Sequence, residues 1–460
     1  MKTTERAIDV QYAQRCIRCQ TEYPTDRFTY TCTQPGCGGL LLVERDEDYI
    51  ASQVGSGERA QRYFDDIRWS EQSRRYPAGS GVFGWKDFIL PGFPNEACLA
   101  MHEGHTDLYE TPPWLLKELG LGSVYLKLEG QNPSGSFKDR GMSVAVSETL
   151  RLQLGYPELG ITGICCASTG DTSAAAAAYA GYARDRLDCI ILVPHNKISP
   201  AQLNQAMQFG AKVVAVDSDE GFDGCMRIIQ EFSATHPELV LVNSKNAFRL
   251  VGQETIALET MQDLCWQAPD WIAIPVGNGG NLTALLVALT RAYHHRLIDR
   301  LPGILVGQAE VCDTLVRWDE QGRQSNAYQP GSFQPSVASA ANICDPVSFP
   351  RIEQLINRFD ARFYRATEAE IQDAQMAFTR GGVDLCPQTG IALHAILQAR
   401  EHGVVKPEHT VVAMSTATGL KFAEPAVRYH TELTGAKYSN RFRVAQGSVE
   451  AVEALLSEWH

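Results

Sequence analysis

The chain has no run of about 18 consecutive apolar residues, so the sequence offers no candidate for a membrane-crossing helix. No apolar signal core follows the polar residues 1–6, and this predicts a cytoplasmic protein. Basic clusters are missing too: 54 acidic side chains against 41 Lys and Arg leave a net charge of −13. That balance excludes a nucleic-acid or anionic-membrane surface, and any anionic substrate has to be caught by local groups. There is no internal repeat and no low-complexity tract; the alanines at 174–178 read as a tightly packing helix. A disulfide framework is also unsupported. The thirteen cysteines are an odd number, and Cys165, Cys166, Cys189 and Cys265 lie in apolar segments, as reduced core thiols would. What is present is an ordinary globular composition, 44% hydrophobic and 21% charged over 460 residues, with room for two or three domains.

Four cysteines stand apart. Cys16-x2-Cys19 and the looser Cys32-x4-Cys37 are separated by a twelve-residue spacer and followed by Gly38-Gly39 and apolar residues 40–43. Two close thiolate pairs can close a tetrahedral site, so residues 1–45 are read as a zinc-ribbon-like segment with a structural zinc. The competing readings are a metal-free remnant of such a ribbon and a redox pair. Residues 46–80 read as a polar linker with a surface helix, and 81–91 as an aromatic segment packed on the main body.

From about residue 100 the pattern alternates. Strands are predicted at 124–128, 164–167, 189–193, 212–216, 239–242, 271–276, 304–307 and 410–414. They are short, apolar and bounded by turn residues, as strands buried on both faces should be. Helical segments such as 201–209, 222–232 and 282–294 separate many of them. Repeated βα units predict an α/β fold with parallel sheets and ligands at the carboxyl ends of the strands.

Four loops after strands carry the chemistry. In Glu129-Gly-Gln-Asn-Pro-Ser-Gly-Ser-Phe-Lys-Asp-Arg-Gly-Met142, Lys138 sits between a glycine-rich turn and the next regular segment, flanked by Phe137. Partial desolvation there lowers an amine's pKa and frees its lone pair for Schiff-base chemistry, although an arbitrary lysine in a turn is usually just solvated. Ala167-Ser-Thr-Gly-Asp-Thr-Ser173 opens a helix with more hydroxyls than one N-cap requires, which suits a carboxylate or phosphate. Val276-Gly-Asn-Gly-Gly-Asn281 can form an anion nest of backbone N–H groups, and it lacks the lysine of a nucleotide P-loop. Ser415-Thr-Ala-Thr-Gly-Leu-Lys421 presents Thr416, a neutral hydroxyl that can meet a pyridine nitrogen without protonating it; a plain strand-to-helix turn is the bland alternative. Schiff-base lysine, carboxylate cradle, phosphate nest and neutral pyridine partner together fit pyridoxal 5'-phosphate acting on an amino acid.

The motifs then become recognisable. Ser136-Phe-Lys-Asp-Arg-Gly-Met142, 167–173, Asn196-Lys-Ile-Ser199, Phe222-Asp-Gly-Cys-Met226, Gly252-Gln-Glu-Thr255, 275–281, Ala338-Ser-Ala340 with Asp345-Pro-Val-Ser348, and 415–421 resemble threonine synthases of the plant-type branch. The resemblance spans residues 100–450 in family order. It implies the fold-type-II (tryptophan synthase beta-like) architecture of two doubly wound domains, 46–135 with 240–460 as the large one and 136–239 inserted. It implies conversion of O-phospho-L-homoserine and water to L-threonine and phosphate, usually by a homodimer. Lys138 would be the Schiff-base lysine and proton shuttle, with Phe137 beside it. Gly277, Asn278, Gly279, Gly280 and Asn281 would hold the cofactor phosphate, Asp171 would face its 3′-oxygen, and Thr416 its ring nitrogen. Ser168, Thr169 and Thr172 would hold the substrate carboxylate, and Asn243, Ser244 and Arg249 its phosphate. The pattern departs from that branch at Thr418 and Gln388, where it has His, and at Cys344, where it has Gly. The alternative is a related replacement enzyme resembling cysteate synthase, using O-phosphoserine and sulfite.

Overall fold

The computed structural model describes residues 8–70, 76–168, 170–195, 200–219 and 221–458. Its strands, in chain order, are β1 (Tyr12–Cys16), β2 (Glu22–Tyr23), β3 (Leu41–Arg45), β4 (Leu108–Glu110), β5 (Ser123–Leu128), β6 (Gly163–Ala167), β7 (Asp188–Pro194), β8 (Lys212–Val216), β9 (Leu239–Leu241), β10 (Trp271–Pro275), β11 (Gly303–Ala309), β12 (Ala361–Ala366) and β13 (Thr410–Ser415). They form three sheets. A small antiparallel ribbon runs β2-β1-β3, a six-stranded sheet β12-β11-β10-β13-β5-β4, and a four-stranded sheet β8-β7-β6-β9. The four-stranded sheet is wholly parallel, and in the larger one only β4 runs antiparallel, at the edge. Parallel strands need crossover helices, and these cover the faces of both sheets, leaving the central strands buried.

All eight predicted strands exist, within about two residues at each end, a normal error for element boundaries. Three things differ. β12, whose apolar run is broken by Arg362 and Arg365, and the three-residue β4 are additional to them, and both are edge strands of the six-stranded sheet. β8 is an edge strand with exposed residues, not one buried on both faces. Residues 46–69 are no linker: helices Glu47–Val54 and Glu58–Trp69 bury Ile50, Val54, Ala60 and Phe64, apolar pairs four residues apart in an otherwise polar sequence. The aromatic segment does pack inward, with Trp85 stacked on Phe64 at 4.3 Å.

The cysteines need one correction. Cys312 and Cys344 form a disulfide, against the expectation of reduced thiols throughout; the fold brings their Cα atoms to 4.6 Å although 32 residues separate them. The other eleven cysteines are free.

Two helices set the geometry of the site. Lys138–Gly155 and Phe248–Asp263 cross so closely that a Cβ on Gly252 would lie 1.8 Å from the Arg140 carbonyl oxygen, and one on Gly141 2.6 Å from that of Arg249. Only glycine permits that approach. It brings together the two N-termini that carry Lys138 and Arg249.

Candidate active site

Every predicted loop falls at the carboxyl end of its strand. The lysine loop and the loop after β13 are stitched to each other: the Phe137 amide donates to the Thr416 carbonyl at 3.0 Å, and the Thr418 amide to the Gly135 carbonyl at 3.1 Å. Ser136 and Ala417 complete an antiparallel bridge between them. Lys138 and Thr416 are therefore neighbours, although 278 positions separate them in the chain (416 less 138).

Lys138 begins its helix with Nζ 3.7 Å from the centre of the Phe137 ring. Burial pushes its amine down from 10.5 to about 7, with help from the Arg249 charge and against the pull of Asp171. The next residue, Asp139, is fully buried and accepts from the Ser134 amide at 2.8 Å; burial pushes its carboxyl up to about 7 despite that bond.

Ser168 directly follows β6, and its hydroxyl accepts from the Gly170 amide at 3.2 Å. Thr169 and Asn196–Ser199 lie outside the described residues. Gly170 caps the Asp171–Tyr182 helix without a side-chain bond, so among the described residues its N-terminus has no side-chain cap. Asp171, 7% exposed, accepts from Lys421 Nζ at 2.9 Å. The Thr172 hydroxyl accepts from Arg249 Nη2 at 3.3 Å.

Arg249 is 4% exposed and has no carboxylate partner among the described residues. Its Nη1 donates to the Val242 carbonyl at 3.0 Å, while its buried Nε donates to nothing. Burial pulls even this guanidinium down to about 10. A buried cation with spare donors and no acid is an anion site in waiting. Asn243 acts on the backbone instead, where its amide closes two hydrogen bonds with Ala167 and ties the end of β9 to the end of β6.

The glycine turn after β10 opens the Gly280–His294 helix, with Gly279 in the left-handed region at φ 76° and no side-chain cap. A Cβ on Gly277 would lie 2.8 Å from Ala341 Cα, and one on Gly279 2.6 Å from Ile352 Cδ1, so both positions exclude other residues. Asn278 pins the turn, donating to the Ser244 hydroxyl at 2.9 Å and accepting from the Val347 amide at 3.0 Å. Residues 277–281 thus offer a glycine-rich helix N-terminus with no side-chain cap, the backbone arrangement that suits a phosphate group. Thr416, 6% exposed, lies within 3.5 Å of Cys386 Sγ and carries no charge.

Sequence reasoning missed Lys421, Asp139 and Gln253. All three lie inside the recognisable motifs, but only the fold shows that Lys421 meets Asp171, and that buried Gln253, wedged against Gly141, leaves Oε1 without a partner. Of the departures, Thr418 spends its hydroxyl on Asp384, Cys344 lies in the disulfide, and Gln388 is buried with both amide atoms unpartnered.

This fold and this site define a pyridoxal-phosphate-dependent enzyme. The sequence model of the family described as "Pyridoxal-phosphate dependent enzyme" matches residues 99–417. Threonine synthase 2, chloroplastic, from Arabidopsis thaliana is 36% identical over 411 residues, 89% of this chain and 76% of that protein. Threonine synthase from Methanocaldococcus jannaschii is 33% identical over 420 residues, 91% of this chain and 95% of that one. The crystal structure of threonine synthase from Escherichia coli shares the fold, with a TM-score of 0.66 at 20% identity over 97% of this chain and 100% of that one. The chain belongs to the threonine synthase family of pyridoxal-phosphate-dependent enzymes.

Proposed function

We infer that the protein converts O-phospho-L-homoserine and water to L-threonine and phosphate, as a pyridoxal-phosphate-dependent lyase. The family carries the reaction, and one observation in this chain supports the phosphorylated substrate most directly: the buried guanidinium of Arg249 beside Thr172, without a carboxylate partner among the described residues. The residues present fit the cofactor. An amine held near neutrality, a glycine-rich helix N-terminus with no side-chain cap, and a neutral hydroxyl are the groups it requires. When bound, the cofactor supplies the electron sink for negative charge beside the substrate's amino group.

The chain's own residues do the rest. Lys138 Nζ, with a pKa of about 7, exchanges a proton in either direction near neutral pH. Residues 277–281 would hold the cofactor phosphate, and Asp171, anchored by Lys421, would stand on the side of its 3′-oxygen. Thr416 would meet the ring nitrogen with a neutral hydroxyl, which does not protonate it and would favour elimination over transamination. Ser168, Thr172 and Thr169 hold the substrate carboxylate at the N-terminus of the Asp171–Tyr182 helix. Arg249 grips the substrate phosphate as a fork and steadies its charge as it departs. Asn243 and Ser244 serve that end as fasteners, through Ala167 and Asn278.

Two coarser features belong to the same proposal. A homodimer is expected, to be read by sedimentation. A cytoplasmic setting accords with eleven free cysteines, to be read by fractionation. Among the described residues no helix is long and apolar enough to cross a membrane. The decisive assay incubates the purified holoenzyme with O-phosphohomoserine and measures threonine and phosphate in equal amounts. Turnover of O-phosphoserine with sulfite instead would overturn the reading in favour of the cysteate-forming alternative.

A further inference from the structure

The four N-terminal cysteines converge. Cys16 Sγ lies 3.6 Å from Cys37 Sγ and Cys19 Sγ 3.4 Å from Cys32 Sγ, and all four sulfurs fall within 4.8 Å of one another. Two disulfides would need about 2.05 Å. A tetrahedral zinc with Zn–S bonds of about 2.3 Å places its sulfurs about 3.8 Å apart, in the middle of the observed range. The surroundings match such a site: the Arg18 amide donates to Cys16 Sγ at 3.4 Å and the Tyr23 hydroxyl lies 3.1 Å from Cys32 Sγ. Gly36 and Gly38 take left-handed turns beside Cys37, and a Cβ on Gly39 would press on Cys16 Sγ at 2.8 Å.

The segment between the two cysteine pairs leaves the ribbon and reaches the four-stranded sheet and both crossing helices. Fully buried Gln14 clamps the Thr29 backbone at both its carbonyl and its amide. The Thr25 carbonyl accepts from Arg151 on the helix that begins at Lys138. The Tyr30 hydroxyl accepts from the Leu241 amide at 2.8 Å, on β9, an edge strand of the four-stranded sheet. Phe28 stacks on Tyr30 and meets Phe248 edge-on at 5.7 Å, next to Arg249 in the chain. The cysteine knuckle itself is tied to the other end of the site. Gln354 donates to the Ile17 carbonyl at 2.8 Å, and buried Arg351 to the Leu41 carbonyl at 2.6 Å. Both lie on the Phe349–Leu355 helix, whose Ile352 abuts Gly279.

We propose that Cys16, Cys19, Cys32 and Cys37 bind one zinc-type ion, and that this ion locks residues 20–31 as a strap that positions the Arg249 anion site. The positioning half rests on the function proposed above. The zinc organises the wall that receives the substrate's phosphate and touches no reacting atom.

The test uses full-length holoenzyme. Metal analysis should find one zinc per chain, lost in Cys19→Ser and in Cys37→Ser, whose side chains are the more exposed of the four; a metal-free wild type, or serine variants that keep the ion, would overturn the site. Tyr30→Phe removes one hydroxyl and leaves the ligands intact. It should raise KM for O-phosphohomoserine about fivefold, the worth of one hydrogen bond, with kcat, zinc content and cofactor absorbance unchanged. Chelation of wild type should produce the same KM rise, reversed by added zinc. A KM unmoved by both treatments would overturn the strap, because a merely structural ribbon would lower the melting temperature and leave the KM-to-kcat split alone. If the wild type does not turn over O-phosphohomoserine, the substrate reading fails by itself. Binding of inorganic phosphate by calorimetry then reads the strap, with the same weakening in Tyr30→Phe as the required result.

Discussion

Arg140 and Arg249 are both buried arginines on the two crossing helices, and their surroundings are opposite. Arg140, fully buried, is surrounded by acid. Its guanidinium donates to Glu129 at 2.7 Å and to Glu259 at 2.9 Å, and Glu259 also takes Lys127 at 2.6 Å. Burial alone would weaken its charge, but the two carboxylates reverse that and raise its pKa. Arg249 has carbonyl and hydroxyl partners and no carboxylate among the described residues, and its pKa falls. A compensated buried ion group holds a floor in place, whereas an uncompensated one waits for an anion. The lysine loop rests on the first and opens toward the second.

The comparison can be broken in order of expected effect. Replacing the lysine that both arginines serve, Lys138→Ala, should cut threonine formation by about 10⁴-fold and abolish the cofactor's absorbance band without unfolding the chain. Retained turnover would remove Lys138 from the chemistry. Arg140→Met leaves buried Glu129 with only the neutral Thr106 and Asn132 as donors and Glu259 with Lys127 as its remaining side-chain cation, and should cost about 3–5 kcal/mol of stability, read by chemical denaturation. Arg249→Met should leave stability nearly unchanged, or raise it, and should weaken phosphorylated substrate about 10- to 100-fold while sparing cofactor affinity. Equal loss of both affinities would refute the division of labour.

A pH measurement sharpens the contrast. The Lys138 amine is held down to about 7, so its neutral, nucleophilic form dominates above that value and disappears below it. Cofactor uptake by cofactor-free protein should therefore rise roughly tenfold between about pH 6 and pH 8. The midpoint should move up in Arg249→Met, which removes an uncancelled charge, and stay fixed in a folded Arg140→Lys. The smallest effect concerns an ion group outside the site. Burial would raise the Glu47 carboxyl, but His295 and Arg291 outweigh burial and hold it below its ordinary 4.5. Its contribution is full above that value and is lost as pH falls toward the folded-state value. Glu47→Gln should cost about 1 kcal/mol at neutral pH, discounted for a side chain one-third exposed, and blunt acid sensitivity.

Much of the site was legible because its loops carry their chemistry in consecutive residues. A glycine turn, a hydroxyl-rich helix start and a lysine behind a tight loop announce themselves locally, and the alternation of apolar strands with helices implied the parallel sheets around them. The ion pair of Asp171 with Lys421 was not legible, since 250 positions separate its members. Nor was the stitching of residues 135–137 to 416–418. The polar composition of 47–69 suggested one surface helix with a linker and hid the inward packing of two, and the Cys312–Cys344 disulfide was hidden by spacing that carries no signal.

The sequence by itself determined the chemical inventory: a lysine, an anion nest, hydroxyls, an arginine and four cysteines at metal-binding spacing. Those depend on residue type and short-range backbone geometry. The tertiary structure decided which charges are compensated. Only packing sets how far a side chain lies from water and from every other charge, so only packing could leave Arg249 without an acid among the described residues and enclose Arg140 in two. The same packing laid the strap from the cysteines against Phe248, beside the one of these two arginines that stands ready for an anion.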